Sequence, residues 1–428
     1  MTTGDTPSLS EVHSRKDSIL FYIRALFKIS KNPFLSRKKD VLFIGGARRV
    51  RFEDGIWWDI YRDPIIDKLQ SSYVSVEQDF QLKHQRHSKT KNLRYMDFID
   101  VMSEIMKRAG LFKLRLGSKD SQLIRMMEED IFKRFNVKMN LKVLLVNVLQ
   151  RRRHRLPLFL ALLKRVSPKA IVCDNSYGKE DLIEVAKRLK IPVVELQHGV
   201  IYPMHFGYSY PKDYARKLTF PDYLLVFGDY WKDAAEYPIG EGQIVSIGFP
   251  YMDIQRKKYA LVKKKKQILF ISQGGIGNSI AQFAVNLSKE IGDEYRIVFK
   301  LHPAEAHNWK ERYPELLDAN LTIISRKDTT LYRLFAESMI QLGVSSTAIF
   351  EGLAFGLRTF LIEAPSVTFL NKLLDSGFAL KVESPTEFLS QLEHEEESTS
   401  FDTDYFFKKN ASTNAVDFLT KLLSNDAA

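Results

Sequence analysis

Gly343-Val-Ser-Ser-Thr-Ala-Ile-Phe-Glu-Gly352 follows the apolar run Met339-Ile-Gln-Leu342. A short apolar run ending in glycine reads as a buried strand, and Ala348-Ile-Phe-Glu-Gly-Leu-Ala-Phe355 has the spacing of a helix. Ser345, Ser346 and Thr347 therefore stand where a strand ends and a helix begins. Lys300-Leu-His-Pro303 repeats the arrangement after the apolar run Tyr295-Arg-Ile-Val-Phe299. Two strands of a parallel sheet would thus deliver a His, two Ser and a Thr to the edge where open α/β sheets bind ligands. Hydroxyls and free backbone N–H groups at a helix start suit a phosphate.

Working outward, the same alternation runs through the rest of the chain. In the first half, Asp40-Val-Leu-Phe-Ile-Gly-Gly46, Ala170-Ile-Val-Cys173, Pro192-Val-Val-Glu-Leu196, Asp222-Tyr-Leu-Leu-Val-Phe227 and Gln243-Ile-Val-Ser-Ile247 read as strands. Helical patterns lie between them at 97–109, 121–135, 141–166 and 179–189, and the third is expected to break at Pro157. A polar, basic stretch from Tyr251 to Lys266 reads as a linker. The second half restarts with Gln267-Ile-Leu-Phe-Ile-Ser272, a helix over 279–290, the two segments above and Arg358-Thr-Phe-Leu-Ile362. The tail after Glu383 reads as two helical pieces around an acidic loop from about Glu393 to Asp404. This predicts an α/β protein of two Rossmann-like domains, 1–255 with helical insertions and 256–428 with a helical tail, facing a cleft that holds the ligand.

Composition sets limits on function. The 428 residues suffice for two cores, and 45% hydrophobic with 27% charged residues is the balance of a soluble globular protein. No apolar run approaches the roughly 20 residues that span a bilayer. Met1 to Ser10 lacks the basic-then-apolar order of a signal peptide. Cys173 is the only cysteine, which rules out disulfides within the chain, and the expected location is the cytoplasm. The net charge of +12 is unevenly spread. Between Ser18 and Lys39 there are six basic residues and no acidic one, with Ile19, Leu20, Tyr22, Ile23, Leu26 and Phe27 at helical spacing among them. Such a helix either lies in an anionic membrane surface or packs on its own domain. Arg151–Arg155 and Lys263–Lys266 are further basic clusters, the second read as a solvated linker. No nucleic-acid-binding motif accompanies the charge, and no nucleic-acid partner is expected.

Other motifs bear on chemistry. Ser272-Gln-Gly-Gly-Ile-Gly277 lies between a strand and a helix, where Gly274 and Gly275 let backbone N–H groups approach an anion. It is neither a full dinucleotide fingerprint nor a Walker loop, and a tight βα turn needs glycine in any case. His302, extended by the following Pro303, either donates to a phosphate or is a satisfied structural histidine. Glu351 lies four residues after Thr347 on one helix face, and either binds ribose hydroxyls or is a solvated carboxylate. In the first half, Gln197-His-Gly199 and Asp174-Asn-Ser176 each follow a strand. His198 or Asp174 could take a proton from an acceptor hydroxyl, and Asp174 could equally cap the following turn. No His/Cys spacing suggests zinc, and neither metal nor cofactor is expected.

With these motifs in that order, the chain resembles bacterial GT-B glycosyltransferases of surface polysaccharide synthesis. The similar groups are the polysialyltransferase-like, capsular Kdo-transferase-like and CDP-glycerol glycerophosphotransferase-like ones, over roughly Ala170 to Glu363. The resemblance implies that Lys300-Leu-His-Pro303 and Ser345-Ser-Thr347 bind the cytidine nucleotide of the donor. His302, Ser345 and Ser346 would hold the phosphate, and Glu351 the ribose. A first-domain acid would be the base, which maps to Asp174, although the acidic pair followed by glycine of the pattern is absent here. Asp402-Thr-Asp404 matches the metal-binding pattern of another glycosyltransferase fold, but its place in an acidic tail makes it a loop. The implied reaction is metal-independent, inverting transfer from a CMP-linked sugar, such as a nonulosonic acid or Kdo, to a glycan or glycolipid. A CDP-glycerol or CDP-ribitol phosphotransferase, a UDP-sugar 2-epimerase and a non-catalytic nucleotide- or glycan-binding protein are the alternatives.

Overall fold

The structure, a computed structural model, describes residues 28–46, 49–211, 217–325, 329–393 and 401–424. Residues 18–27 of the basic amphipathic pattern lie outside them, and 28–39 form only the short turns Ile29–Lys31 and Pro33–Leu35.

The first sheet contains β1 (Val41–Gly46), β4 (Tyr73–Gln78), β5 (Leu93–Tyr95), β6 (Ala170–Cys173), β7 (Val193–Leu196), β8 (Tyr223–Val226) and β9 (Ile244–Ser246). A two-residue hairpin, β2 (Val50–Arg51) and β3 (Trp57–Trp58), stands apart. All seven strands are parallel, in the order β5-β4-β1-β6-β7-β8-β9. The second sheet is also parallel. Its strands β10 (Lys265–Ile271), β11 (Arg296–Lys300), β12 (Thr322–Ile324), β13 (Ser338–Gly343), β14 (Arg358–Ile362) and β15 (Leu380–Val382) run in the order β12-β11-β10-β13-β14-β15. Val41, Leu42, Phe43 and Ile44 are wholly buried, as expected of a strand covered on both faces. The two Rossmann-like domains expected from the alternation are thus present. Strand order reverses between β1 and β6 in the first sheet and between β10 and β13 in the second. Each reversal opens a crevice at the carboxyl ends of the strands, because the flanking connections leave on opposite faces.

Three local expectations are corrected. The helix Leu141–Val166 runs unbroken through Pro157. Phe159, Leu162, Leu163 and Val166 pack in the first core, and this burial outweighs the roughly 3 kcal/mol that an interior proline costs. The stretch 251–266 is not a free linker. Pro250–Lys258 is a helix with Tyr251, Met252 and Gln255 buried. Lys264, read as solvated, donates its ammonium to Phe335 O (3.1 Å), Ser338 O (2.7 Å) and Phe355 O (2.9 Å), and burial lowers its pKa to about 8.

The tail returns to the first domain. The helix Ala411–Ser424 places Ala415 and Leu419 in a core with Val41, Phe43 and Leu225. The segment leading to it passes so close to Gly228 that a Cβ there would lie 2.3 Å from Tyr405 O. The domains also share apolar contacts: Trp231 of the first lies 4.6 Å, ring to ring, from Phe350 of the second, and its Nε1 donates to Phe406 O at 2.9 Å. Among the described residues no helix is long and apolar enough to cross a membrane.

Candidate functional site

In the second domain the crevice between β10 and β13 gathers most of the residues singled out above. Ser345 N donates to Gln273 Oε1 at 3.2 Å, and Gln273 Nε2 lies 3.2 Å from Ser345 Oγ, so the two strand ends are tied together. A Cβ on Gly274 would be 3.8 Å from His302 Nδ1, while one on Gly275 would meet nothing within 4 Å. The glycine loop, the His-Pro turn and Ser345 therefore converge. Arg312 Nη2 holds the loop through Gly274 O at 2.8 Å. Ser346 is the N-cap of the helix Thr347–Leu353, accepting from Ala348 N at 3.3 Å. Pro303 and His302 begin a turn in which the His302 ring accepts from Ala304 N (Nδ1, 3.2 Å).

Two residues behind this crevice escaped the sequence reading. Buried Glu305 accepts from Ser272 Oγ (2.7 Å), from His302 N (3.0 Å) and from the Tyr313 hydroxyl, and so fixes the β10 and β11 ends to each other. Gln273 bridges β10 and β13. Neither stands out in sequence, because Ser272 for Glu305 and Ser345 for Gln273 lie beyond the ends of other strands.

Two expected nucleotide ligands are placed deeper. Lys300, the last residue of β11, is buried and its Nζ lies 3.5 Å from Leu301 O. Glu351 is 2% exposed, which overturns its reading as a solvated carboxylate. It lies against buried Tyr332, whose phenol is pushed up by burial and by the Glu351 charge.

The crevice of the first domain, between β1 and β6, contains Asp174. Its Oδ2 accepts from Gly46 N at 3.2 Å and its Oδ1 from Lys179 Nζ at 3.3 Å, with 18% of the side chain exposed. Burial pulls its pKa upward, but Lys179, Arg62, His198 and the Gly46 N–H outweigh that and hold it below the ordinary carboxylate range. A carboxylate so stabilised is a weak base.

His198, two residues beyond the end of β7, is held in a network of hydrogen bonds. Gln197 locks its turn, donating to Gly199 O (2.8 Å) and accepting from Phe227 N (2.8 Å), and Tyr61 donates its hydroxyl to His198 O (2.8 Å). Tyr208 donates to Glu195 Oε1 and lies 3.3 Å from His198 Nδ1, while Tyr177 lies 2.6 Å from Nε2. With Tyr208 engaged to Glu195, its oxygen accepts from the Nδ1–H, which leaves the lone pair on Nε2 facing Tyr177. Burial pushes Glu195 up to about 6, against the pull of its bonds from Tyr208 and Ser176 and of the Lys179 charge. The following loop adds aromatic rings that sequence reasoning passed over. Tyr202 stacks on Phe369 of the second domain at 4.6 Å, and His205 stacks on exposed Phe206 at 5.5 Å.

Asp402 and Asp404 lie in the returning tail, where Asp404 pairs with Lys409 at 3.2 Å. Among the described residues no group of three or more His, Cys, Asp or Glu is arranged to hold a metal ion.

No family model matches the chain, and no curated protein matches its sequence. Solved structures do match in shape. UDP-GlcNAc 2-epimerase from Methanocaldococcus jannaschii is 14% identical with a TM-score of 0.52, over 89% of this chain and 99% of that one. The Neisseria meningitidis enzyme bound to UDP-GlcNAc gives the same identity, coverage and TM-score. The wall teichoic acid polymerase TagF is 12% identical with a TM-score of 0.50, over 97% of this chain and 100% of that one. At these identities the likeness is one of fold, and the fold is GT-B: two Rossmann-like domains with facing strand ends.

Proposed function

We propose that the chain is a glycosyltransferase moving a sugar from a nucleotide-activated donor, CMP-linked such as a nonulosonic acid or Kdo, to a surface glycan or glycolipid in the cytoplasm. The observation that carries this reading is the convergence of His302, Ser345 and the Gly274–Gly275 loop at the second sheet's reversal, together with the hydrogen-bonded His198 in the first domain. In this reading residues 256–428 supply the nucleotide site and 1–255 the acceptor side. The tail helix belongs physically to the acceptor side.

The transfer needs no metal. An acceptor hydroxyl replaces the Tyr177 phenol at His198 Nε2 and gives up its proton there. Its oxygen then forms the new bond to the anomeric carbon as the bond from that carbon to the phosphate oxygen breaks, with inversion. His302, Ser345, Ser346 and the loop N–H groups stabilise the charge growing on the departing phosphate. Asp174, held as a carboxylate by Lys179 and Arg62, orients the first-domain crevice and adds negative charge near His198, favouring the imidazolium that forms. Glu351 shapes the ribose side from below the helix start.

A second reading is a UDP-sugar 2-epimerase, favoured by the likeness in shape to two such enzymes. The test is a panel of CMP-, CDP- and UDP-linked donors, each with and without a glycan acceptor, followed for nucleotide release and for conversion of the donor sugar. Acceptor-dependent release of CMP supports the transferase. Conversion of a UDP-sugar without acceptor replaces it with the epimerase.

A further inference from the structure

The hydrophobic surface of this molecule is concentrated in one place that the proposed reaction does not use. Of the twenty-two large hydrophobic residues exposed among the described ones, fourteen lie between Ile105 and Leu149. Two helices, Ser118–Phe135 and Leu141–Val166, form this region. At 1.5 Å per residue they are about 27 and 39 Å long. The C-terminal half of the second is anchored in the first core through Phe159, Leu162 and Leu163, whereas Ile124 is the only buried residue of the first. Residues 136–140, which join the two helices, are all exposed.

Each helix turns an apolar stripe to solvent at helical spacing. Leu123, Met126 and Met127 form one, and Val143, Leu144 and Val148 the other, at 41% exposure or more. The connecting tip adds Phe132 (43%), Phe135 (69%), Val137 (48%) and Met139 (43%). An exposed patch of this extent marks an interaction surface. Its charge identifies the partner. The segment from Ile105 to Arg153 carries thirteen Lys and Arg against four Asp and Glu, a net +9 of the chain's +12. Arg151 and Arg152 lean on Asp100 and Glu184 at the base, so the outward charge lies toward the tip. From Phe132 to Leu144 there are Lys133, Arg134, Lys138 and Lys142 and no acidic residue. Apolar side chains interleaved with lysine and arginine, on helices too polar to span a bilayer, match the anionic headgroup region of a membrane.

We propose that the helical hairpin 118–150 docks the protein on an anionic phospholipid surface, with Phe135, Val137 and Met139 entering the headgroup boundary and the neighbouring lysines meeting lipid phosphates. The inference stands apart from the transferase reading, since it rests on the hairpin alone and is read without any turnover.

The test is co-sedimentation of the full chain with vesicles of phosphatidylcholine, alone or mixed with phosphatidylglycerol. The wild type is expected to pellet with the mixed vesicles at least about tenfold more strongly than with the neutral ones. Two variants, Phe135→Ser/Met139→Ser and Lys133→Glu/Lys138→Glu/Lys142→Glu, change only exposed side chains. Each is expected to keep its melting temperature and lose about tenfold or more in binding. Four results would overturn the proposal: no pelleting at all, equal pelleting with neutral vesicles, and variants that bind like the wild type, which would move the contact to another segment such as 18–39. The fourth is a concentration-dependent dimer of the wild type, seen by analytical ultracentrifugation and abolished by Phe135→Ser/Met139→Ser, which would give the stripes to a second copy of the chain.

Discussion

Gln273 and Ser345, seventy-two positions apart, hold each other across the reversal point of the second sheet, with Ser345 N 3.2 Å from Gln273 Oε1 and Gln273 Nε2 3.2 Å from Ser345 Oγ. The pair fixes the two strand ends between which a phosphate would sit. Gln273→Ala removes both bonds without disturbing the strands. With a net contribution of roughly 1 kcal/mol per bond, nucleotide affinity should fall by up to about thirtyfold in calorimetric titration. An unchanged affinity would place the nucleotide elsewhere.

The histidine relay and the nearby carboxylate should separate kinetically. His198→Ala is expected to lower kcat by roughly 10²–10⁴-fold while leaving nucleotide binding intact, since a general base acts only in the chemical step. Asp174→Asn leaves Lys179 and Arg62 without their counter-charge and should lower the melting temperature as well as activity. If Asp174→Asn abolished turnover at full stability and His198→Ala did not, the base assignment would be reversed.

Glu195 gives a pH signature. Its pKa rises from 4.5 in the unfolded chain to about 6, so the fold favours its protonated form. That contribution is complete below about 4.5 and disappears as pH rises through 6. Glu195→Gln mimics the protonated form, and by itself the shift is worth about 2 kcal/mol above the window. Relative to wild type, the variant's melting temperature should therefore be higher at pH 8 than at pH 5. A difference that did not change with pH would contradict the raised pKa.

Packing of the returning tail is tested at Gly228. A methyl there would lie 2.3 Å from Tyr405 O, whereas one on Gly242 would meet nothing within 4 Å. Gly228→Ala should destabilise by several kcal/mol or detach the tail, and Gly242→Ala should change stability by less than about 1 kcal/mol. Equal melting temperatures for the two variants would refute the close approach.

What the sequence made legible follows from local physics. β1, β6, β7, β10, β11 and β13 announce themselves as apolar runs ending in glycine, a histidine or an acid, because a strand buried on both faces has few other choices. The strands β4, β5, β12 and β15 were missed, since lateral pairing rather than an unbroken apolar run defines them. Pro157 was misread because tertiary burial of Phe159 and Leu162 decides whether the helix survives, and that burial is not local. Lys264 looked solvated because the three carbonyls it satisfies come from residues 71 to 91 positions away. The placement of the candidate site was half legible. His302, Ser345 and His198 stand at strand ends and could be named, whereas Gln273, Glu305, Tyr177 and Tyr208 gain their roles only from partners that folding brings to them.

The most direct test of the proposed nucleotide site is the melting temperature of the purified chain with CMP, CDP, UMP, UDP and GDP, measured alongside His302→Ala. Ligand that binds only the folded state raises stability by RT ln(1 + [L]/Kd), about 2.7 kcal/mol at a hundredfold excess over Kd. The account predicts a rise with cytidine nucleotides in the wild type and none in His302→Ala. No rise with any of the five at millimolar concentration, or the same rise in the variant, would contradict it.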